Sequence, residues 1–261
     1  MITSIESLLS FAQSLADEAA RMVAEHLGAD ISVTLKPDRT FVTELDQAIE
    51  ARLRERIADR YPDHGILGEE MADRPAHSDF TWVLDPIDGT AALVAGMPVY
   101  GTLIALAHQG HPILGVMHFP ATQERWAGAK GLPTLHNGKP CQVRSGESLA
   151  SAIMSASNPD FFDAYEKRAL VALSARTAWR IYGGAALSYG RLAMGRTDLA
   201  LDAGLKVHDY AAFVPILQGA GGLITDWTGQ ALTLHSGSRV LAAGDPRRHT
   251  AALAVIQEAL D

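Results

Sequence analysis

Between Thr81 and Gly131 the chain spells four strand-like segments, TWVLD, YGTLIALA, PILGVMHFP and ERWAGA, with turn chemistry in HQGHP, PATQ and AKGLP. Strands broken by turns of this kind predict an antiparallel sheet. The first strand ends unusually: TWVLDPIDGT runs from an apolar segment straight into Asp85 and Asp88. Carboxylates at the end of an apolar strand are unfavourable unless something pairs with them.

The surrounding sequence supplies helices. SIESLLSFAQSLADEAARMVAEHL places Ile5, Leu8, Leu9, Ala12, Leu15, Ala19, Met22, Val23 and Leu27 on one stripe, which predicts an amphipathic helix ending at Gly28. ISVTLK reads as a short strand leading into the loop PDRTFVTELD. TELDQAIEARLRERIADRY reads as a second helix stopped before Pro62, and HGILGEE as a strand that delivers two glutamates. After SGESLASAIMSASNP the pattern becomes α/β, with helical runs over 160–174 and 184–195, strands DLALD and LITDW, and a final helix through TAALAVIQEAL. Two packed halves, 1–148 and 149–261, are expected, the first supplying most of the acidic cluster described next.

Asp followed by Pro predicts a type I turn, which would hold the Asp85 and Asp88 Cα atoms within about 7 Å. The Ile87 carbonyl is then free to join them, an oxygen-only set that suits Mg²⁺. Gly89 lets the backbone approach a ligand, and Thr90 opens a helix whose first amides favour an anion. On their own, Asp85 also suits a turn and Asp88 a helix cap. Two more segments add acids: LGEEM carries Glu69 and Glu70, and GLKVHDYAAFVPILQGAGG carries Asp209 ahead of an apolar helix running to Gly221 and Gly222. If Glu69, Asp85, Asp88 and Asp209 converge, each close pair repels by about 4 kcal/mol at an effective dielectric of 20. Such a cluster must bind cations or take up protons, and paired Mg²⁺ ions are a common device for activating water against a phosphate ester.

GEE at 68–70, LDPIDGT at 84–90 and HDYAAFVPILQGAGG at 208–222, supported by VTELD at 42–46, together resemble the inositol monophosphatase superfamily of Mg²⁺-dependent, lithium-sensitive phosphatases. The resemblance runs from Lys36 to the Gly221-Gly222 pair. It implies an α/β (α+β) fold, a five-layer αβαβα sandwich of the inositol monophosphatase and fructose-1,6-bisphosphatase type. An antiparallel sheet would come from the first half and a mostly parallel one from the second, and the protein would be a homodimer. It further implies two or three Mg²⁺ per site, with Glu69, Asp85 and the Ile87 carbonyl on one and Asp85, Asp88 and Asp209 on another. Asp46 and Thr90 match the pair that orients the attacking water, with Glu69 beside them, and Gly89 and Thr90 match the phosphate-binding amides. Asp88 belongs to that anion site as well. Asp202 falls where a substrate's organic part is contacted, and otherwise suits a strand-end turn.

GMPVYGTLIAL and AGLKVHDYAAFVPILQGAGGLITDW look most like bacterial histidinol-phosphate phosphatases, a resemblance that would place the chain in histidine biosynthesis, with inositol 1-phosphate as the alternative substrate. Two departures stand out: Ala91 and Ala92 follow D-G-T where a longer polar residue is common, and His208 replaces an aromatic. A regulatory binding protein with vestigial activity is the rival class, and a bisphosphatase would need more basic charge than the motifs show. Lys36 matches a family lysine and Lys206 is the other nearby base; each also suits a solvated loop. His108 and His111 form an H-x-x-H within a hairpin turn rather than a zinc site.

Composition narrows the partners. The 261 residues carry a net charge of −8, which argues against a nucleic-acid surface. Hydrophobic residues make up 48%, yet no apolar run reaches membrane-span length, so no membrane association is expected. The start of the chain lacks the pattern of a signal peptide, and the single cysteine, Cys141, fits a reducing compartment. A cytoplasmic enzyme acting on a small phosphorylated metabolite is the expectation.

Overall fold

The computed structural model describes residues 4–26, 33–35 and 41–261. Lys36, Leu27 and Gly28, singled out above, lie outside the described residues. Helix α1 (Ile5–His26) buries Leu8, Leu9, Ala12, Leu15, Ala19 and Val23 of the expected stripe, adds Ala16, and leaves Ile5 and Met22 half-buried against the same core. Strands β1 (Val33–Leu35) and β2 (Phe41–Thr43) pair antiparallel, so part of the expected loop is a strand. Thr43 is extended and caps α2 (Glu44–Arg60), and the extended conformation that caps a helix also ends a strand.

Strands β3 (Gly65–Gly68) and β4 (Phe80–Asp88) follow, then the short helix α3 (Thr90–Val94). Strands β5 (Gly101–His108), β6 (His111–Phe119), β7 (Glu124–Ala129), β8 (Leu135–His136) and β9 (Lys139–Pro140) complete a seven-stranded sheet in sequence order. Only β3 and β4 are parallel in it. The β5–β6 connection is a two-residue turn with Gln109 and Gly110 at φ 50° and 77°, the left-handed pair a tight hairpin requires. His108 and His111 are register partners beside it, as the hairpin reading expects.

The second sheet contains β10 (Ile153–Ala156) and, beyond α4 (Glu166–Arg176), β11 (Trp179–Tyr182). Helix α5 (Leu187–Ala193) leads to β12 (Leu199–Asp202), and α6 (Val207–Tyr210) and α7 (Phe213–Gly219) lead to β13 (Leu223–Thr225) and β14 (Val240–Ala243), ahead of α8 (Pro246–Leu260). Its order is β11-β10-β12-β14-β13. The expected mostly parallel sheet is in fact mixed: β10 runs parallel to β11 and β12, but β14 is antiparallel to both β12 and β13. Parallel pairing needs a helical crossover; β13 and β14 are joined without one. The single helix expected after Asp209 is also broken at Ala211–Ala212 into α6 and α7, because Pro215 has no N–H to offer the Ala211 carbonyl.

Side-chain alternation along the strands builds three interior layers. Trp82 and Leu84 face α1 and α2, meeting Leu15, Ile49 and Leu53. Val83 points the other way, with Leu103, Met117 and Trp126, into a core shared with Leu192, Ile216 and Leu217 and with Ala200 and Val240 of the second sheet. The far face of that sheet, through Met154, Leu199, Leu201 and Leu241, packs on Leu170, Leu173 and Ile256 of the outer helices. The result is helices, sheet, helices, sheet, helices, the five layers expected. Both sheets are covered on both faces, which is why their strands read as nearly continuous apolar runs. Among the described residues no helix is long and apolar enough to cross a membrane.

Candidate active site

The site forms where the end of β4 meets α6 in the middle layer. The expected type I turn at Asp85-Pro86 does not occur; β4 continues to Asp88 through a bulge. Asp85 pairs with Leu103 and Asp88 with Gly101, so Pro86 and Ile87 together stand opposite Thr102. Proline cannot donate to a ladder, and a bulge is where a strand tolerates it. The Thr102 hydroxyl donates to the Pro86 carbonyl at 2.8 Å and holds the bulge. Gly89 then turns the chain at φ 79°, a conformation that favours glycine, and a Cβ there would stand 3.2 Å from the Val99 carbonyl.

These backbone devices bring Asp85 and Asp88 to Asp209, and one oxygen from each lies within 4.8 Å of the others. Asp85 is 1% exposed, and its Oδ1 has no hydrogen-bond partner among the described residues. Asp88 accepts the Ala186 N–H at 2.9 Å, and Asp209 accepts the Lys206 N–H at 2.6 Å. Burial, followed by the charges of Glu69, Asp88, Asp209 and Asp46, holds Asp85 well above the usual carboxylate range. Burial likewise pushes Asp88 up to about 7 against the Ala186 amide, with Glu69 and Asp202 adding repulsion. Asp209 rises to about 6, mainly through burial, although the neighbouring His208 opposes the shift. A buried carboxylate oxygen without a donor, aimed among like charges, fits a hard divalent cation.

Glu69 is not within the 4.8 Å grouping but stands beside it, at the end of β3, and its charge raises all three aspartates. His208 lies between: its Nε2 is 3.9 Å from Glu69 Oε2 and 3.8 Å from Asp209 Oδ1. On the other side is Asp46. Its Oδ2 accepts the Thr43 N–H at 2.9 Å and the Thr43 hydroxyl, closing a capping box at the start of α2. Its Oδ1 accepts the Thr90 hydroxyl at 3.1 Å, and that hydroxyl also reaches the Ile87 carbonyl at 3.0 Å. Burial raises the Asp46 carboxyl against these bonds.

Asp202 ends β12 and is 2% exposed. Its oxygens accept the Ser157 N–H at 2.6 Å and the Tyr189 hydroxyl at 2.7 Å. Tyr189 in turn stacks on Phe213, with ring centroids 4.0 Å apart. Tyr189, the Ala186 amide and the Glu50–Arg54 ion pair on α2 were not among the residues expected from sequence. Glu50 and Arg54 do have a signal there, an acid and a base spaced i, i+4. Thr43 and Asp46 spell the T-x-x-D of a cap.

Five layers with an acid cluster at the junction of two sheets, set beside a carboxylate–hydroxyl pair, define a phosphomonoester hydrolase, and the relatives agree. The inositol monophosphatase family profile matches residues 4–261. The chain belongs to that family. It is 36% identical over 260 residues to a bifunctional phosphatase, IMPL2, of Arabidopsis thaliana, covering 96% of this chain and 75% of the plant protein. It is 35% identical over 243 residues to a histidinol-phosphatase of Mycobacterium tuberculosis, covering 90% and 93%. The solved inositol monophosphatase of Zymomonas mobilis superposes with a TM-score of 0.88 at 35% identity, over 98% of this chain and 99% of that one.

Proposed function

We propose that this protein hydrolyses histidinol phosphate, or a small phosphomonoester like it, by direct attack of water, with divalent cations, Mg²⁺ foremost, held by Asp85, Asp88, Asp209, Glu69 and the Ile87 carbonyl. The observation that carries the reading is the buried oxygen of Asp85, unpartnered among the described residues, amid converging carboxylates, with Asp46 joined to the Ile87 carbonyl through the Thr90 hydroxyl. Bound cations would neutralise the cluster, stabilise charge on the departing oxygen and lower the pKa of attacking water.

The chain's own groups do the rest. The Thr90 hydroxyl has one hydrogen, shared between Asp46 Oδ1 and the Ile87 carbonyl, which leaves its lone pairs to accept a proton from water. As the water oxygen forms its bond to phosphorus, its proton passes to Thr90 and the Thr90 proton to Asp46. Burial makes Asp46 the better base. The phosphorus–alkoxy bond breaks opposite, the leaving oxygen takes a proton from solvent, and inorganic phosphate departs. The Gly89 and Thr90 amides, at the start of α3, would take the phosphate oxygens.

Asp202 favours a substrate bearing a cation. Asp202 is buried with its oxygens on Ser157 and Tyr189, so it would act through space, and its charge is felt at Asp88. An ammonium bound near Asp88 would gain attraction from that charge; an uncharged inositol ring would not. Phosphate release from histidinol phosphate, inositol 1-phosphate, a nucleotide 3′,5′-bisphosphate and fructose 1,6-bisphosphate, with and without Mg²⁺, tests the reading. Chelator-sensitive turnover highest on histidinol phosphate supports it. Highest turnover on the inositol ester removes the substrate and keeps the chemistry, and turnover indifferent to chelation removes the metal.

A further inference from the structure

Glu69 is the proposed ligand that neither a strand nor a helix holds: Asp85, Ile87 and Asp88 belong to β4 and Asp209 to α6. Strand β3 ends at Gly68, which pairs with Leu84 in parallel register, one residue short of Asp85. Past that point a different anchor takes over, and it comes from α2. Glu50 is fully buried. Its Oε2 accepts the Glu70 N–H at 2.8 Å, and its Oε1 accepts the Met71 N–H at 3.1 Å and Arg54 Nε at 2.7 Å. The Arg54 guanidinium then donates forward, to the Met71 carbonyl at 3.1 Å and the Ala72 carbonyl at 3.0 Å. One ion pair therefore grips two amides with its anion and two carbonyls with its cation, all in the three residues after Glu69. The fit leaves no slack: a Cβ on Gly68 would fall 2.1 Å from Glu50 Oε1 and 2.6 Å from Arg54 Nη2.

A buried carboxylate is unfavourable unless its bonds are complete, and Arg54 together with two backbone amides adjoining a single functional side chain completes these. Asp46 lies four residues before Glu50, on the same face of α2, and both are fully buried. One helix face thus carries the group that holds Thr90 and the clamp that fixes the segment of Glu69.

We propose that Glu50 and Arg54 are positioning residues that set Glu69 at the metal site, with Gly68 as the space that admits them. The proposal rests on the reading of Glu69 as a metal ligand. Residues that orient ligands from behind commonly change metal affinity by about 10–100-fold when altered.

The test is calorimetric titration of Mg²⁺ alone into wild type, Glu50→Gln, Arg54→Lys and Glu69→Gln, paired with kcat measured across Mg²⁺ concentration. Arg54→Lys keeps the charge and removes the fork, so it carries the test if Glu50→Gln fails to fold. The expected result is folded clamp variants, by circular dichroism, whose Mg²⁺ dissociation constants rise about 10–100-fold. Their kcat should climb back towards wild type as Mg²⁺ is raised, while that of Glu69→Gln does not. A purely structural role would lower thermal stability without moving the Mg²⁺ constant. Wild-type Mg²⁺ affinity in folded Arg54→Lys and Glu50→Gln overturns the proposal. Absence of Mg²⁺ uptake by wild type overturns the metal reading beneath it, a different result visible without any variant.

Discussion

Asp88→Asn should make the metal-free protein more stable while removing its activity. Asparagine keeps the shape and still accepts the Ala186 N–H, so the change is one of charge. In the folded chain, burial and repulsion raise Asp88 from 3.8 to about 7, which at about 1.4 kcal/mol per pH unit corresponds to about 4 kcal/mol. The sign follows from proton linkage. Between about pH 4 and about pH 7 the unfolded chain has released this proton and the folded chain still holds it, so folding stability falls as pH rises through that window. Above about pH 7 the loss is complete. The variant lacks this term, so its advantage grows from nothing near pH 4 to about 4 kcal/mol at pH 8. Thermal unfolding in chelator should show this as a gain on the order of ten degrees at pH 8, at about 2–4 °C per kcal/mol for a chain of this size. Adding Mg²⁺ should lift the wild type alone and narrow the gap. Turnover in the variant should drop by several orders of magnitude. A variant no more stable than wild type at pH 8 in chelator, or one with near-normal turnover, refutes the reasoning.

Thr90→Val keeps the shape of the start of α3 but deletes the hydroxyl between Asp46 and the Ile87 carbonyl; kcat should fall about 10²–10⁴-fold with little change in unfolding midpoint. Mg²⁺ uptake near pH 6 should release protons, because Asp88 and Asp209, at about 7 and about 6, must ionise to serve as ligands. Calorimetry in buffers of different ionisation enthalpy counts them, and affinity should weaken as pH drops below 6. Gly68→Ala should destabilise by about 1–3 kcal/mol in urea unfolding, since its methyl overlaps Glu50. Tyr189→Phe leaves one oxygen of the buried Asp202 without its donor and should lower stability by about 1–3 kcal/mol.

Much of this molecule was legible in local sequence because local physics governs those parts. The α1 stripe, the β4 to β7 strands and the two-residue turn at Gln109-Gly110 all follow from periodicity or turn chemistry that neighbouring residues impose on each other. The acids and their order along the chain were visible too, as were Gly89 and Thr90. Strands β10, β11 and β14, four residues each, were not among those expected.

Tertiary structure decided what depends on partners far along the chain. Asp85-Pro86 reads as a turn in isolation; pairing with β5 keeps it a strand and converts it to a bulge, because the ladder on either side outweighs the local preference. The second sheet is mixed because β14 returns between β12 and β13, a choice no segment makes alone. The same holds for Glu50, an ordinary helical acid until the β3 turn closes over it. Sequence by itself determined which groups were available and which backbone shapes could present them. Only the packed layers decided which groups meet, because burial and repulsion act across space rather than along the chain.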